Sequence, residues 1–90
     1  LMSIHKKLTL ICPFYNEESV IDLFFDRVLP VFENLPYSFE IICVNDGSKD
    51  STLEKLLQTR KRISQLRIID LSRNFGKEAA LTAALDYAIG

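Results

Sequence analysis

Three short polar clusters hold the residues of this chain with chemistry to offer: Pro13-Phe14-Tyr15-Asn16-Glu17, Asn45-Asp46-Gly47-Ser48 and Arg73-Asn74-Phe75-Gly76-Lys77. Tyr15 presents a flat face on which a base can stack, and a carboxylate such as Asp46 can accept a hydrogen bond from a ring N–H. Arg73 and Lys77 can meet phosphate charge. Together they point to a nucleotide pocket. The glycine-rich phosphate loops are missing, because G-x-G-x-x-G and G-x-x-x-x-G-K-[ST] need glycines that a chain with 3 in total does not supply. A pyrophosphate would then be held by side chains, a metal or a helix N-terminus. A zinc site lacks ligands: His5 is the only histidine, and Cys12 and Cys43 form no C-x-x-C.

Each of these residues also has a plainer use. Asn16 suits the N-cap of a following helix, and Glu17 is a favourable first-turn carboxylate in any helix. Asp46 in N-D-G-S is a good turn former, and Gly47 and Gly76 read as backbone requirements. Lys77 near a helix start is electrostatically awkward unless an anion shares the site.

The elements that must position these clusters alternate. Leu8–Cys12 is a continuous apolar run, as of a strand buried on both faces, ended by Pro13. From Glu18 to about Leu35, Val20, Phe24, Val28, Phe32 and Leu35 recur at helical spacing, with Asn16 or Ser19 as N-cap. Pro30 is expected to kink or split this helix, and Pro36 to mark its end. Phe39–Val44 is a second buried strand. Ser51-Thr52-Leu53-Glu54 fits a capping box opening a second helix, with Leu53, Leu56 and Leu57 inward and Arg60-Lys61-Arg62 in its last turns. Leu66–Leu71 is a third strand, followed by an alanine-rich helix over about Lys77–Ile89. Phe24, Phe25 and Phe32 read as core or interface residues.

The order β-α-β-α-β-α argues for a parallel sheet in an α/β fold. Right-handed crossovers in the order 3-2-1 place the first two helices on one face and leave the first strand as an apolar edge. All three polar clusters then fall beyond the carboxyl ends of the strands, where open parallel sheets bind ligands.

Composition sets the bounds. The 90 residues, 10.3 kDa, make one small domain or a piece of one, with 48% hydrophobic and 26% charged residues and a net charge of −1. Disorder and nucleic-acid binding are poor readings of that balance. No apolar run approaches the ~18 residues of a membrane span, and no secretory signal is visible. Two buried, reduced thiols in a cytoplasmic protein are expected. Leu1 ahead of Met2, with only three strands, reads as a fragment.

The three motifs together resemble a known family. Pro13-Phe14-Tyr15-Asn16-Glu17 resembles the P-x-Y-N-E of family-2 glycosyltransferases with the GT-A fold, and Asn45-Asp46-Gly47-Ser48 with Asp50-Ser51-Thr52 resembles their D-D-G-S-x-D-x-T. Arg73 to Leu81 is similar to the subgroup of bactoprenol glucosyltransferases and dolichyl-phosphate mannose synthase relatives. The likeness runs from about Leu8 to Gly90. It implies that residues 1–90 are the N-terminal half of a Rossmann-like nucleotide-binding domain. By the same resemblance Pro13, Tyr15 and Glu17 surround uracil and ribose, Asp46 recognises the base, Val44 lines its pocket, and Asn74 and Lys77 approach the nucleotide. Asn45 departs from the usual first Asp.

The resemblance further implies a UDP-sugar donor, a polyprenyl phosphate acceptor, transfer of glucose or a related sugar with inversion, and Mg2+ or Mn2+ in the parent. No D-x-D occurs among Asp22, Asp26, Asp46, Asp50, Asp70 and Asp86, so metal ligands and catalytic residues are expected beyond this chain, which alone should be inactive. The parent is expected at the cytoplasmic face of a membrane. The alternative is a non-catalytic nucleotide-binding or self-associating α/β module, the latter a homo-oligomer through the first-strand edge. A receiver-like domain would need an acidic cluster where Pro13-Phe14-Tyr15 stands.

Overall fold

The computed structural model describes residues 7–89. Six elements follow one another: β1 (Lys7–Phe14), α1 (Ile21–Glu33), β2 (Ser38–Asp46), α2 (Thr52–Arg62), β3 (Leu66–Leu71) and α3 (Lys77–Ile89), with a 3-10 turn at Glu18–Val20. The strands form one parallel sheet in the order β1-β2-β3, so β2 is central and β1 is an edge. Leu8 faces Phe39, Cys12 faces Cys43, and Asn45 faces Asp70.

Strand alternation sends successive β2 side chains to opposite faces. Ile41 and Cys43 join Ile21 and Phe25 of α1 and Leu56 of α2 in one core. Ile42 and Val44 meet Ala80 and Ala84 of α3 in the other. The helix pair and the single helix therefore sandwich the sheet as expected. Fully burying side chains such as Phe25, Ile21 and Leu56 contributes about 1.5–3 kcal/mol each. Phe24 extends the first core, its ring edge-on to Phe14 at 5.5 Å and to Phe25 at 5.1 Å. On the second face the alanines, one turn apart, bring α3 close over β2 and β1.

Several local expectations are corrected. β1 does not end at Pro13 but runs to Phe14, because an edge strand has an open side on which a missing N–H is harmless. α1 is one helix through Pro30, not two pieces. Pro30 lies in its closing turns, and its carbonyl accepts from the Asn34 backbone N–H at 3.2 Å and from Asn34 Nδ2 at 2.8 Å. Neither Asn16 nor Ser19 caps this helix; Val20 stands at its start without a side-chain cap. At α2, Ser51 makes no capping bond, and the Asp50 carboxylate takes the Thr52 N–H at 2.9 Å instead.

Cys12 and Cys43 are free thiols on neighbouring strands in register. Burial pushes the Cys12 thiol up to about 11, and burial together with nearby Cys12 pushes Cys43 higher still. Raised values favour the protonated thiols in the fold, so their contribution is complete below the ordinary thiol value of 9.0 and fades as pH climbs through 11. At pH ~8 an aromatic disulfide reagent should label neither thiol at the rate of a free cysteine and should label both in denaturant. Rapid native labelling of both would contradict this burial.

Candidate functional site

The loops after β1, β2 and β3 meet at the carboxyl end of the sheet and line an open cavity of about 280 Å³. Pro13, Tyr15, Glu17, Asp46, Asn74 and Lys77 line it together with Phe14 and Gly76. Val44 is placed elsewhere: it is fully buried against Ala80 and Ala84 and lines no part of the cavity. Its side chain shares a face with Asp46 two residues on, but α3 covers that face below the cavity.

Asp46, 3% exposed, is the floor of the site. Its Oδ1 accepts from the Phe75 N–H at 2.8 Å and its Oδ2 from the Gly76 N–H at 3.1 Å. These amides immediately precede α3, whose N-terminal dipole end favours a carboxylate. Gly76 reaches this geometry at φ 95, in the region that favours glycine. A carboxylate has about four acceptor positions, so two remain for a ligand.

Asn45 explains its own departure from the motif. Its Nδ2 donates to Asp70 Oδ1 at 2.8 Å on the neighbouring strand, where an aspartate would oppose a second carboxylate. Its Oδ1 is buried without a partner among the described residues. Asn45 and Asp70 belong to a second cavity of about 550 Å³, which shares Tyr15 and Asn74 with the first. Arg73 borders this second space, its guanidinium 4.7 Å from the centre of the Phe75 ring.

Side chains stitch the loops together through backbone groups. Thr52 Oγ1 accepts from the Glu17 N–H at 3.0 Å and itself donates to Asp50 Oδ1. Asp50 Oδ2 accepts from the Glu18 N–H at 3.4 Å. The hydrogen bond from the Thr52 hydroxyl, with those from backbone amides, holds the Asp50 carboxyl below the ordinary carboxylate range. Gly47 has φ 68, and a Cβ there would lie 2.2 Å from the Arg73 carbonyl carbon. Residue types alone do not single out Asp50 and Thr52 as builders of the site, although the D-x-T of the second motif carries the signal.

The family profile described as "Glycosyl transferase family 2" matches residues 9–90. The chain belongs to this family. The family-2 chain is 50% identical over 84 residues to an uncharacterized glycosyltransferase of Synechocystis, covering 93% of this chain and 26% of the relative. It is 44% identical over 86 residues to a bactoprenol glucosyl transferase of Shigella phage SfV, covering 93% of this chain and 27% of that protein. The chain thus spans about a quarter of these curated relatives. Among solved structures, a mannosyltransferase from Pyrobaculum calidifontis, in complex with GDP-Man and Mn2+, shares the fold at TM-score 0.79 and 23% identity. That match covers 94% of this chain and 25% of the other. The α/β architecture of the family-2 chain is that of the Rossmann-like half of a glycosyltransferase. Among the described residues there is no group of three or more His, Cys, Asp or Glu that could hold a metal ion.

Two outcomes follow from the stitching. Gly47→Ala should destabilise the fold by about 2 kcal/mol or more, read as a lowered thermal midpoint, since strain and backbone overlap add; an unchanged midpoint would show that the second and third loops are not in contact. The depressed Asp50 value means that its contribution is present above 3.8 and lost as pH falls below it. Thermal melts from about pH 5 to 2 should therefore show a shallower acid limb in Asp50→Asn than in the unsubstituted chain.

Proposed function

We propose that this chain forms the nucleotide-holding part of a glycosyltransferase that moves a sugar, glucose by analogy with the bactoprenol relatives, from a UDP-sugar to a polyprenyl phosphate. The observation that carries the reading is the convergence of Tyr15, Glu17, Asp46, Asn74 and Lys77 on one cavity from three separate loops. Asp46 has the acceptor capacity to take a ring N–H, and Tyr15, at the mouth, offers its face to a base. Lys77 supplies the positive charge that suits a phosphate beside the start of α3. A volume of about 280 Å³ lies at the small end for ligand sites and suits a base with part of its ribose. The rest of the donor then extends towards other residues of the whole protein.

In the proposed transfer a phosphate oxygen of the lipid forms a bond to the anomeric carbon as the bond to UDP breaks, which inverts that carbon. Stabilising charge on the departing UDP is the part that a divalent cation, Mg2+ or Mn2+, supplies in such chemistry, and we place its ligands outside this chain. Catalytic groups and the acceptor site belong to the same outlying portion, so the 90-residue chain alone is expected to be inactive. A cytoplasmic, membrane-associated parent accords with a lipid acceptor; no described helix is itself long and apolar enough to cross a membrane. The open edge of β1 favours self-association as a second reading.

Calorimetric titration of UDP, with GDP as comparison, tests the first reading. Saturable UDP binding that falls at least tenfold in Asp46→Ala is expected, since a buried hydrogen-bonded carboxylate is worth about 1.4 kcal/mol or more to its partners. A folded chain that binds neither nucleotide would sink it, and concentration-dependent sedimentation would favour the second.

A further inference from the structure

Asn16 stands between Tyr15 and Glu17, both of which face the first cavity, yet it does not line that cavity. Its backbone has φ 51, and no other described non-glycine residue has a positive φ. Asparagine tolerates this left-handed conformation better than most residues. The conformation directs the Asn16 N–H to Ser48 Oγ at 3.0 Å and presents its Oδ1 to the Lys49 N–H at 2.7 Å. Both partners lie in the loop that follows Asp46. One residue of the first loop is thus held at two points by the second. Its neighbour Glu17 carries a matching tie through its N–H, which donates to Thr52 Oγ1, and within the first loop Glu17 Oε1 accepts from the Tyr15 N–H at 3.4 Å.

We propose that Asn16 is the positioning residue of the nucleotide cavity: its left-handed turn and its two hydrogen bonds to the second loop set where Tyr15 and Glu17 stand relative to Asp46. The inference deepens the nucleotide-binding reading and rests on it for the ligand. The chemistry separates the two requirements. Glycine supplies the backbone angle but not the acceptor for Lys49. Aspartate supplies the acceptor and tolerates the angle. Alanine supplies neither.

The experiment compares the unsubstituted chain with Asn16→Ala, Asn16→Gly, Asn16→Asp and Ser48→Ala. It measures UDP dissociation constants by calorimetry, amide hydrogen exchange without nucleotide, and thermal midpoints. Asn16→Ala and Asn16→Gly should weaken UDP by about tenfold, the scale of one well-made hydrogen bond, and Asn16→Asp by no more than about threefold. The Lys49 and Glu17 amides should exchange faster in the alanine and glycine variants and at the normal rate in the aspartate variant, with β2 amides unchanged throughout.

Unaltered affinity and exchange in Asn16→Gly would overturn the proposal, since backbone shape alone would then suffice. So would losses of affinity that follow the thermal midpoint across all variants, without a local change in exchange. Should Asn16→Ala fail to fold, Ser48→Ala removes only the partner of the Asn16 N–H. Faster exchange at that amide with weaker UDP binding supports the assignment, and no change in either refutes it. If the unsubstituted chain binds no UDP, the functional reading fails, while the exchange rates still decide whether Asn16 holds the two loops in place.

Discussion

The convergence of the Phe75 and Gly76 N–H groups on the buried carboxylate of Asp46 is the interaction on which this end of the molecule depends. A carboxylate in so little water is costly unless its oxygens are satisfied, and backbone amides at a helix start satisfy them with little reorganisation. The bond pair fixes the start of α3 over the end of β2. It thereby brings Asn74 and Lys77 to the cavity and sets the path of α3 across the second face, where Ala80 and Ala84 settle on Ile42 and Val44. Charge, helix direction and core packing meet in one side chain.

Beside this buried carboxylate stands a buried amide. Asn45, next to Asp46 and opposite Asp70, does with an amide what another aspartate would do only against repulsion. Asp50, the remaining acid of the second loop, is turned outward to the backbone of Glu18 and Thr52. The two acids of this loop therefore have separate roles, Asp46 gathering the third loop and Asp50 the first.

Much of this is legible in the residues. Apolar runs locate the three strands, and the bounds of α3 fall at Lys77 and Ile89 as expected, because Gly76 and the alanine periodicity mark a sharp start and a regular helix. Type and resemblance identify the motif residues that face the cavity, apart from Val44. Its misplacement has a physical origin: strand alternation tells which residues share a face, but not how far along that face a helix will lie. Asn16 is illegible for a related reason. An N-cap and a left-handed turn both favour asparagine, and the choice between them is made by Ser48 and Lys49, more than thirty residues away. Pro13 and Pro30 look like breakers because the open edge of β1 and the nearness of the end of α1 are not local properties.

The stitches that close the cavity join residues 29 to 35 apart in sequence. Helices α1 and α2 can begin to form from local contacts, whereas every one of these bonds must wait until a crossover has been closed and its parallel strands have found their register. The cavity is consequently a late product of folding, assembled after the sheet that supports it. The hydrogen bonds between the first and second loops lie outside the strands, so they belong to the part of the chain that opens most cheaply. A molecule bound across all three loops would slow that opening, and its residence time would report on the loops more directly than on the core.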